Sequence, residues 1–131
     1  MVNIDGYIEE LGKDLQVTAF DIKEVQMRLP SIKHKWAGRY IRHKQELLRL
    51  QASRTSTVRE LTAELIKTSP VKVNELSANR LVENSDTVKK LDEDIETLKL
   101  VLELLEKAEK TLSSMTYDIG NMVKLLQMES T

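Results

Sequence analysis

The sequence predicts an all-α protein in which a long basic helix and a long, heptad-patterned C-terminal helix build a helical homo-oligomer. Three observations predict it. Strand signals are nearly missing, with no hairpin dipeptide and no sustained alternation of β-branched residues. Leu91, Leu98, Leu105, Leu112, Ile119 and Leu126 recur every seven residues without a break, the period of left-handed coiled-coil packing. Nine basic residues between Arg28 and Arg59 are interrupted by one acid, Glu46.

A length of 131 residues suits a single helical domain, 1–131. Within it, 1–67 holds the N-terminal helices, including the basic one, and 84–127 the oligomerisation helix. Apolar residues make up 40% and charged residues 31%, but aromatics only 4%. A monomeric core of that composition would be thin, so helices that bury their stripes on partner subunits fit better.

The first helix spans about Asp5 to Leu15, with Ile4, Ile8, Leu11 and Leu15 on one face. A short second helix starts near Asp21 and stops by Leu29, because a residue before proline is pushed out of the helical region. Pro30 then suits the first turn of a third helix, which reaches about Lys67 and ends at the Thr68-Ser69-Pro70 cluster. Val71 to Asn84 reads as a loop with a short helix. Asn84 or Ser85 caps a final helix running to Gln127.

In that final helix Ile95, Leu102 and Val123 supply much of the companion row, while Glu109 and Thr116 interrupt it. Val101, Leu104 and Ala108 widen the stripe beyond a two-stranded seam. The stripe could close on its own chain, but few other apolar helices are on hand to cover it, which favours self-association through Leu91, Ile95, Leu98, Leu102, Leu105, Leu112, Ile119 and Leu126. Gly120 marks a place where the helix could bend, and Glu103/Lys107 and Glu106/Lys110 are i,i+4 pairs in the favourable order.

The net charge of −1 conceals a segregation: 28–59 carries +8 and the remainder −9. At 100° per residue, Ile32, Trp36, Tyr40, Leu47, Leu50, Val58, Leu61 and Leu65 share an arc of about 80°. Lys35, Arg39, Arg42 and Arg49 share a second arc of about 80° beside it. Cations stacked along a helix repel one another unless something anionic lies against them, and +8 exceeds what solubility requires. Phosphate backbone is the expected partner, with Lys33, Lys35, Arg39, Arg42, Lys44, Arg49, Arg54 and Arg59 as candidate contacts. An acidic protein, another copy of the chain or a membrane surface would be alternatives, and duplex DNA an alternative to single strands. The Trp, Tyr and His of the adjoining apolar face look like core, which disfavours a membrane. His43 and Arg54 interrupt the apolar stripe; the first reads as a buried, satisfied histidine, and the second must pair with something at a seam.

No catalytic constellation is present. His34 and His43 sit on different helix faces with no carboxylate or thiol at ligand spacing, and the four glycines are isolated, so there is no phosphate loop. Asp92, Glu93, Asp94 and Glu96 read as a solvated helix start whose acids suit the helix dipole. The sequence therefore predicts no enzyme, cofactor or metal. The absence of cysteine, of a basic-then-apolar leader at Met1–Gly6, and of any apolar run of about 18 residues points to a cytoplasmic, non-membrane protein.

The basic helix resembles the UvsY family of recombination mediators of T-even phages. The likeness is carried by Trp36, Arg39, Lys44, the run Glu46-Leu47-Leu48-Arg49-Leu50, Ala52 and Arg54, and more loosely by the apolar spacing of Val82 to Leu126. The resemblance implies a ring-like homo-oligomer, a hexamer or heptamer, that binds single-stranded DNA. It implies further partners: a RecA-like recombinase, which the family helps load, and the single-stranded-DNA-binding protein that coats the strand. The family's basic-x-basic DNA-binding motif falls at Arg59 and Leu61, where only the first position is basic, so the weight shifts to Arg39, Lys44, Arg49 and Arg54.

Overall fold

The computed structural model describes residues 3–130; Met1 and Val2, which open the stretch read for a leader, lie outside it. Four helices follow in order: α1 (Ile4–Asp14), α2 (Ile22–Thr68), α3 (Glu75–Glu83) and α4 (Asp86–Glu129). No strand occurs among the described residues.

The chain divides into two compact units. The first joins the chain up to Arg42 with the chain from Val101 onward, so it contains α1, the start of α2 and the end of α4. In it Lys33 Nζ donates to Thr116 Oγ1 at 2.7 Å and the Tyr40 hydroxyl to Glu106 Oε1 at 3.4 Å. Later residues of α2 thus meet earlier residues of α4, and the two helices run antiparallel. The core of this unit takes Val25, Leu29, Ile32 and Trp36 from α2 at three- and four-residue steps, and Val101, Leu102, Leu105, Ala108, Leu112, Met115 and Ile119 from α4. The second unit, His43–Leu100, buries Leu47 and Thr62 of α2, Ala78 and Val82 of α3, and Val88, Ile95 and Leu98 of α4.

Side chains cap the helix starts. Asn3 Oδ1 accepts from the Gly6 amide at 3.2 Å, Asn74 Oδ1 from Ser77 at 2.7 Å and Ser85 Oγ from Val88 at 3.4 Å. Each satisfies an amide that the helix itself leaves without an acceptor. The Asp21 carbonyl accepts from Val25 at 2.9 Å as α2 begins. Asp21 Oδ1 meanwhile holds the Thr18 amide at 2.6 Å and its hydroxyl at 3.0 Å, bonds that keep the Asp21 carboxyl below its ordinary range.

Two expectations are corrected. Pro30 neither ends one helix nor opens another: it lies inside α2, which is continuous for 47 residues. Proline there removes one backbone hydrogen bond, yet Val25 and Leu29 before it and Ile32 and Trp36 after it are buried in one core, and that packing holds both sides in register. The stretch after Pro70 follows its reading as a loop with a short helix, the nine-residue α3 capped by Asn74. Finally, α4 passes Gly120 without interruption; no glycine has positive φ.

The inward face of α1 also differs from its apolar reading. Ile8 is exposed, and no residue of α1 is fully buried. Ile4, Leu11 and Leu15 are half-buried, and polar and aromatic groups add to their hold on the helix. Lys35 Nζ lies 2.6 Å from Asp14 and 2.8 Å from Glu10, and Arg39 NH1 lies 2.5 Å from Glu10. Trp36 Nε1 donates to Asp14 Oδ2 at 2.8 Å. Tyr7 meets the Trp36 ring edge-on at 5.5 Å between centroids, and the Arg39 guanidinium lies 4.8 Å from both ring centres. The hydrogen bonds from Arg39 and then Lys35 hold the Glu10 carboxyl below its usual range against the opposing effect of burial.

Two outcomes test this packing. Pro30→Ala restores an amide inside a continuous helix, so unfolding should become harder by about 1–3 kcal/mol; no gain in a denaturant melt would mean that Pro30 sits at a true helix start. The second concerns pH. A carboxyl depressed in the folded chain contributes stability above its unfolded titration range and loses it as pH falls through the folded value. The docking of α1 should therefore be complete at neutral pH and weaken on acidification through and below the carboxylate range. Trp36 fluorescence, the emission of the chain's one tryptophan, should report that loss before the far-ultraviolet helix signal falls.

Candidate nucleic-acid interface

The cations of α2 fall into three groups by what lies against them. The first is covered: Lys35 and Arg39 are held by Glu10 and Asp14 of α1, and Lys33 is half-buried with its ammonium on Thr116. The second is Arg54, whose position on the apolar stripe required a partner. Asp92 of α4 supplies it, with Nε to Oδ1 at 2.5 Å and NH2 to Oδ2 at 3.4 Å. This forked contact engages both carboxylate oxygens and raises the Arg54 pKa further.

The third group is open. Arg42, Lys44, Arg49 and Arg59 are all exposed and make no ion pair among the described residues. Arg42 and Arg49 continue the arc that begins with Lys35 and Arg39, seven residues or about 10 Å apart along the helix. Lys44 lies off that arc, on the flank that Lys33 shares. Arg59 borders a groove of about 370 Å³ between α2 and α3, lined also by Thr55, Thr62, Glu75 and Asn79. The first turns of the basic arc are therefore capped by acidic α1, whereas Arg42 and Arg49 farther along α2 are bare and Glu46 between them turns to His43.

His43 is 9% exposed, with Nδ1 3.4 Å from Glu46, as a histidine on a packed face must be satisfied. No group of three or more His, Asp or Glu that could hold a metal occurs among the described residues, and no helix is long and apolar enough to cross a membrane.

The seven-residue row of α4 is covered by its own chain. Ile95 and Leu98 are buried in the second unit, Leu102, Leu105, Leu112 and Ile119 in the first, while Leu91 and Leu126 are half-buried. Glu103 pairs with Lys107 at 3.4 Å, but Glu106 turns to Tyr40 rather than to Lys110. Large apolar side chains remain outside: Leu100, Tyr117, Leu125 and Met128 on α4 and Met27, Ile41 and Leu48 on α2 are all more than half exposed.

Sequence reasoning missed Tyr7, Glu10 and Asp14 as the groups that occupy the first part of the arc. Their i,i+3 and i,i+4 spacing was the available signal, hidden because the apolar positions of the first helix suggested a different face. It also left the partner of Arg54 unnamed.

Comparison with known proteins places this arrangement. The chain matches the family described as UvsY, a recombination, repair and ssDNA binding protein, over residues 10–131. No curated protein matches it. Among solved structures it is similar to the recombination mediator protein UvsY of bacteriophage T4. One crystal form superposes with a TM-score of 0.83 at 16% identity, covering 98% of this chain and 99% of that one. A second gives 0.82 at 16% identity with both chains fully covered, and a third 0.76 at 18% with 92% and 96% covered. At such low identity the structures speak to the fold alone, which is the same antiparallel helical architecture. The family match takes in Glu10 and the whole of α2, α3 and α4, and the chain belongs to the UvsY family.

Proposed function

We propose that this chain is a single-stranded-DNA-binding recombination mediator that helps load a RecA-like recombinase onto strands coated by single-stranded-DNA-binding protein. The observation that carries the reading is the bare stretch of the α2 arc: Arg42 and Arg49 are exposed cations that make no ion pair among the described residues, and Glu46 between them turns to His43. Exposed cations without a partner release counterions, and so gain free energy, when a polyanion lies along them. Trp36 is buried, so no ring beside the arc is offered for base stacking, and recognition is of backbone rather than sequence.

Self-association belongs to the same reading. A single helix offers a few phosphate contacts, and a ring of six or seven copies multiplies them without any new kind of contact. With the inner heptad row buried in each chain, the residues available to meet a neighbour are the exposed apolar ones of α2 and α4. Leu98 and Leu105 then act on assembly by keeping those helices straight and paired.

A second reading is favoured by one observation. The first turns of the basic arc already hold an acidic helix, α1, so the same chemistry would dock an acidic helix of a partner protein.

The readings separate on substitution. Arg42→Ala and Arg49→Ala should each weaken oligo(dT) binding without altering the thermal melt, and each should shallow the salt dependence by about 0.7 in the log–log slope. Arg54→Ala should instead lower the melting temperature, because it strands Asp92 beside the core. Unchanged oligo(dT) affinity in both the Arg42 and Arg49 variants would favour the acidic-partner reading.

A further inference from the structure

The contact between α1 and α2 has the form of a bound ligand. α1 is an 11-residue helix with no fully buried residue, too short to persist alone in water. Beside the half-buried Ile4 and Leu11, its hold on α2 comes from Tyr7 and two carboxylates, which converge on Lys35, Trp36 and Arg39. Carboxylate and phosphate oxygens satisfy Lys and Arg in the same way. Lys35 and Arg39 lie on the same arc as the exposed Arg42 and Arg49, so a strand tracking along that arc from Arg49 meets Glu10 and Asp14 after Arg42.

Resting on the DNA-binding reading above, we propose that Lys35, Arg39 and the face of Trp36 form a latent second half of the single-strand site, which α1 closes by presenting Glu10 and Asp14 where DNA phosphates bind. A strand that engages Arg42 and Arg49 then competes with α1 for the remaining two cations. Displacement exchanges ion pairs for ion pairs, so what it must overcome is the Tyr7 contact, the Trp36–Asp14 hydrogen bond and the partial burial of Ile4 and Leu11. It extends the footprint by the first turns of the arc, and it frees an amphipathic acidic segment at the protein surface. Binding of the strand is thereby coupled to exposure of α1.

The test uses the full chain and oligo(dT), read by anisotropy and by the emission of Trp36, the one tryptophan. In the native chain, saturating oligo(dT) should shift Trp36 emission to the red as α1 leaves the indole. The double substitution Glu10→Gln/Asp14→Asn removes the competing charges and should tighten oligo(dT) binding by roughly three- to tenfold, the effect of removing partly exposed ion pairs. Adding Lys35→Gln to that double variant should abolish most of the gain. A charge-matched control, Asp5→Asn/Glu24→Gln, alters exposed acids outside the contact and should leave affinity within about twofold, as expected of charges that touch neither site nor strand. Equal tightening in the clamp variant and the control would overturn the proposal, since it would then be a general charge effect. So would unchanged affinity in the clamp variant together with unmoved Trp36 emission, while native oligo(dT) binding stands. Absence of oligo(dT) binding by every form, with native helix content, would instead defeat the DNA-binding reading itself.

Discussion

The rest of the structure depends on the need of the α2 cations for counter-charge. Lys35, Arg39 and Arg42 stand at i,i+4 and i,i+3 steps on one face of the helix and repel by a few tenths of a kcal/mol at each. The chain answers this locally and incompletely. α1 lays Glu10 and Asp14 on Lys35 and Arg39, and α4 turns Asp92 to Arg54. Between these sites Arg42, Lys44 and Arg49 are left to solvent. A surface built for solubility would interleave acids along the helix. Here one acid, Glu46, stands within the run and turns to His43, and the half-buried cations are met by acids from other elements.

That division links folding to function. The neutralised cations hold elements together: Arg54 ties α2 to α4 in one unit, and Lys35 and Arg39 tie α1 to α2 in the other. The bare cations hold nothing in the chain, so their substitution leaves the fold intact and changes only what the surface attracts. Trp36 sits where the two roles meet, buried in the core yet hydrogen-bonded to Asp14 and overlain by Arg39. The heptad row of α4 likewise serves first as core. Its width, noted from Val101, Leu104 and Ala108, is matched inside the chain by Val25, Leu29, Ile32 and Trp36.

Much of this was legible in the sequence, for physical reasons. The unbroken seven-residue repeat specified a long α4, and the absence of strand patterning left helices as the only way to bury it. The apolar arc of α2 was correctly read from Ile32, Trp36 and Leu47, because periodicity reports which face is inward. The reading failed where tertiary packing overrides local preference. Pro30 disfavours a continuous helix locally, but buried residues on both sides outweigh one lost hydrogen bond. α1 presented plausible apolar positions, yet Ile8 is exposed and Tyr7, Glu10 and Asp14 share in the docking, a choice made by cations about 25 residues away that periodicity within one helix cannot see. Arg54 gave a correct signal that it needed a partner, but the identity of Asp92 depended on the antiparallel register of α2 and α4.

The central claim, that the bare stretch of the α2 arc is where a single strand lies, is tested most directly by chemical footprinting. Arginine and lysine side chains would be modified in the presence and absence of oligo(dT), and protection read residue by residue by mass spectrometry. The account predicts strong protection at Arg42 and Arg49, and little change at Lys72, Arg80, Lys89 and Lys124. Protection spread evenly over these positions, or concentrated on cations outside α2, would contradict it.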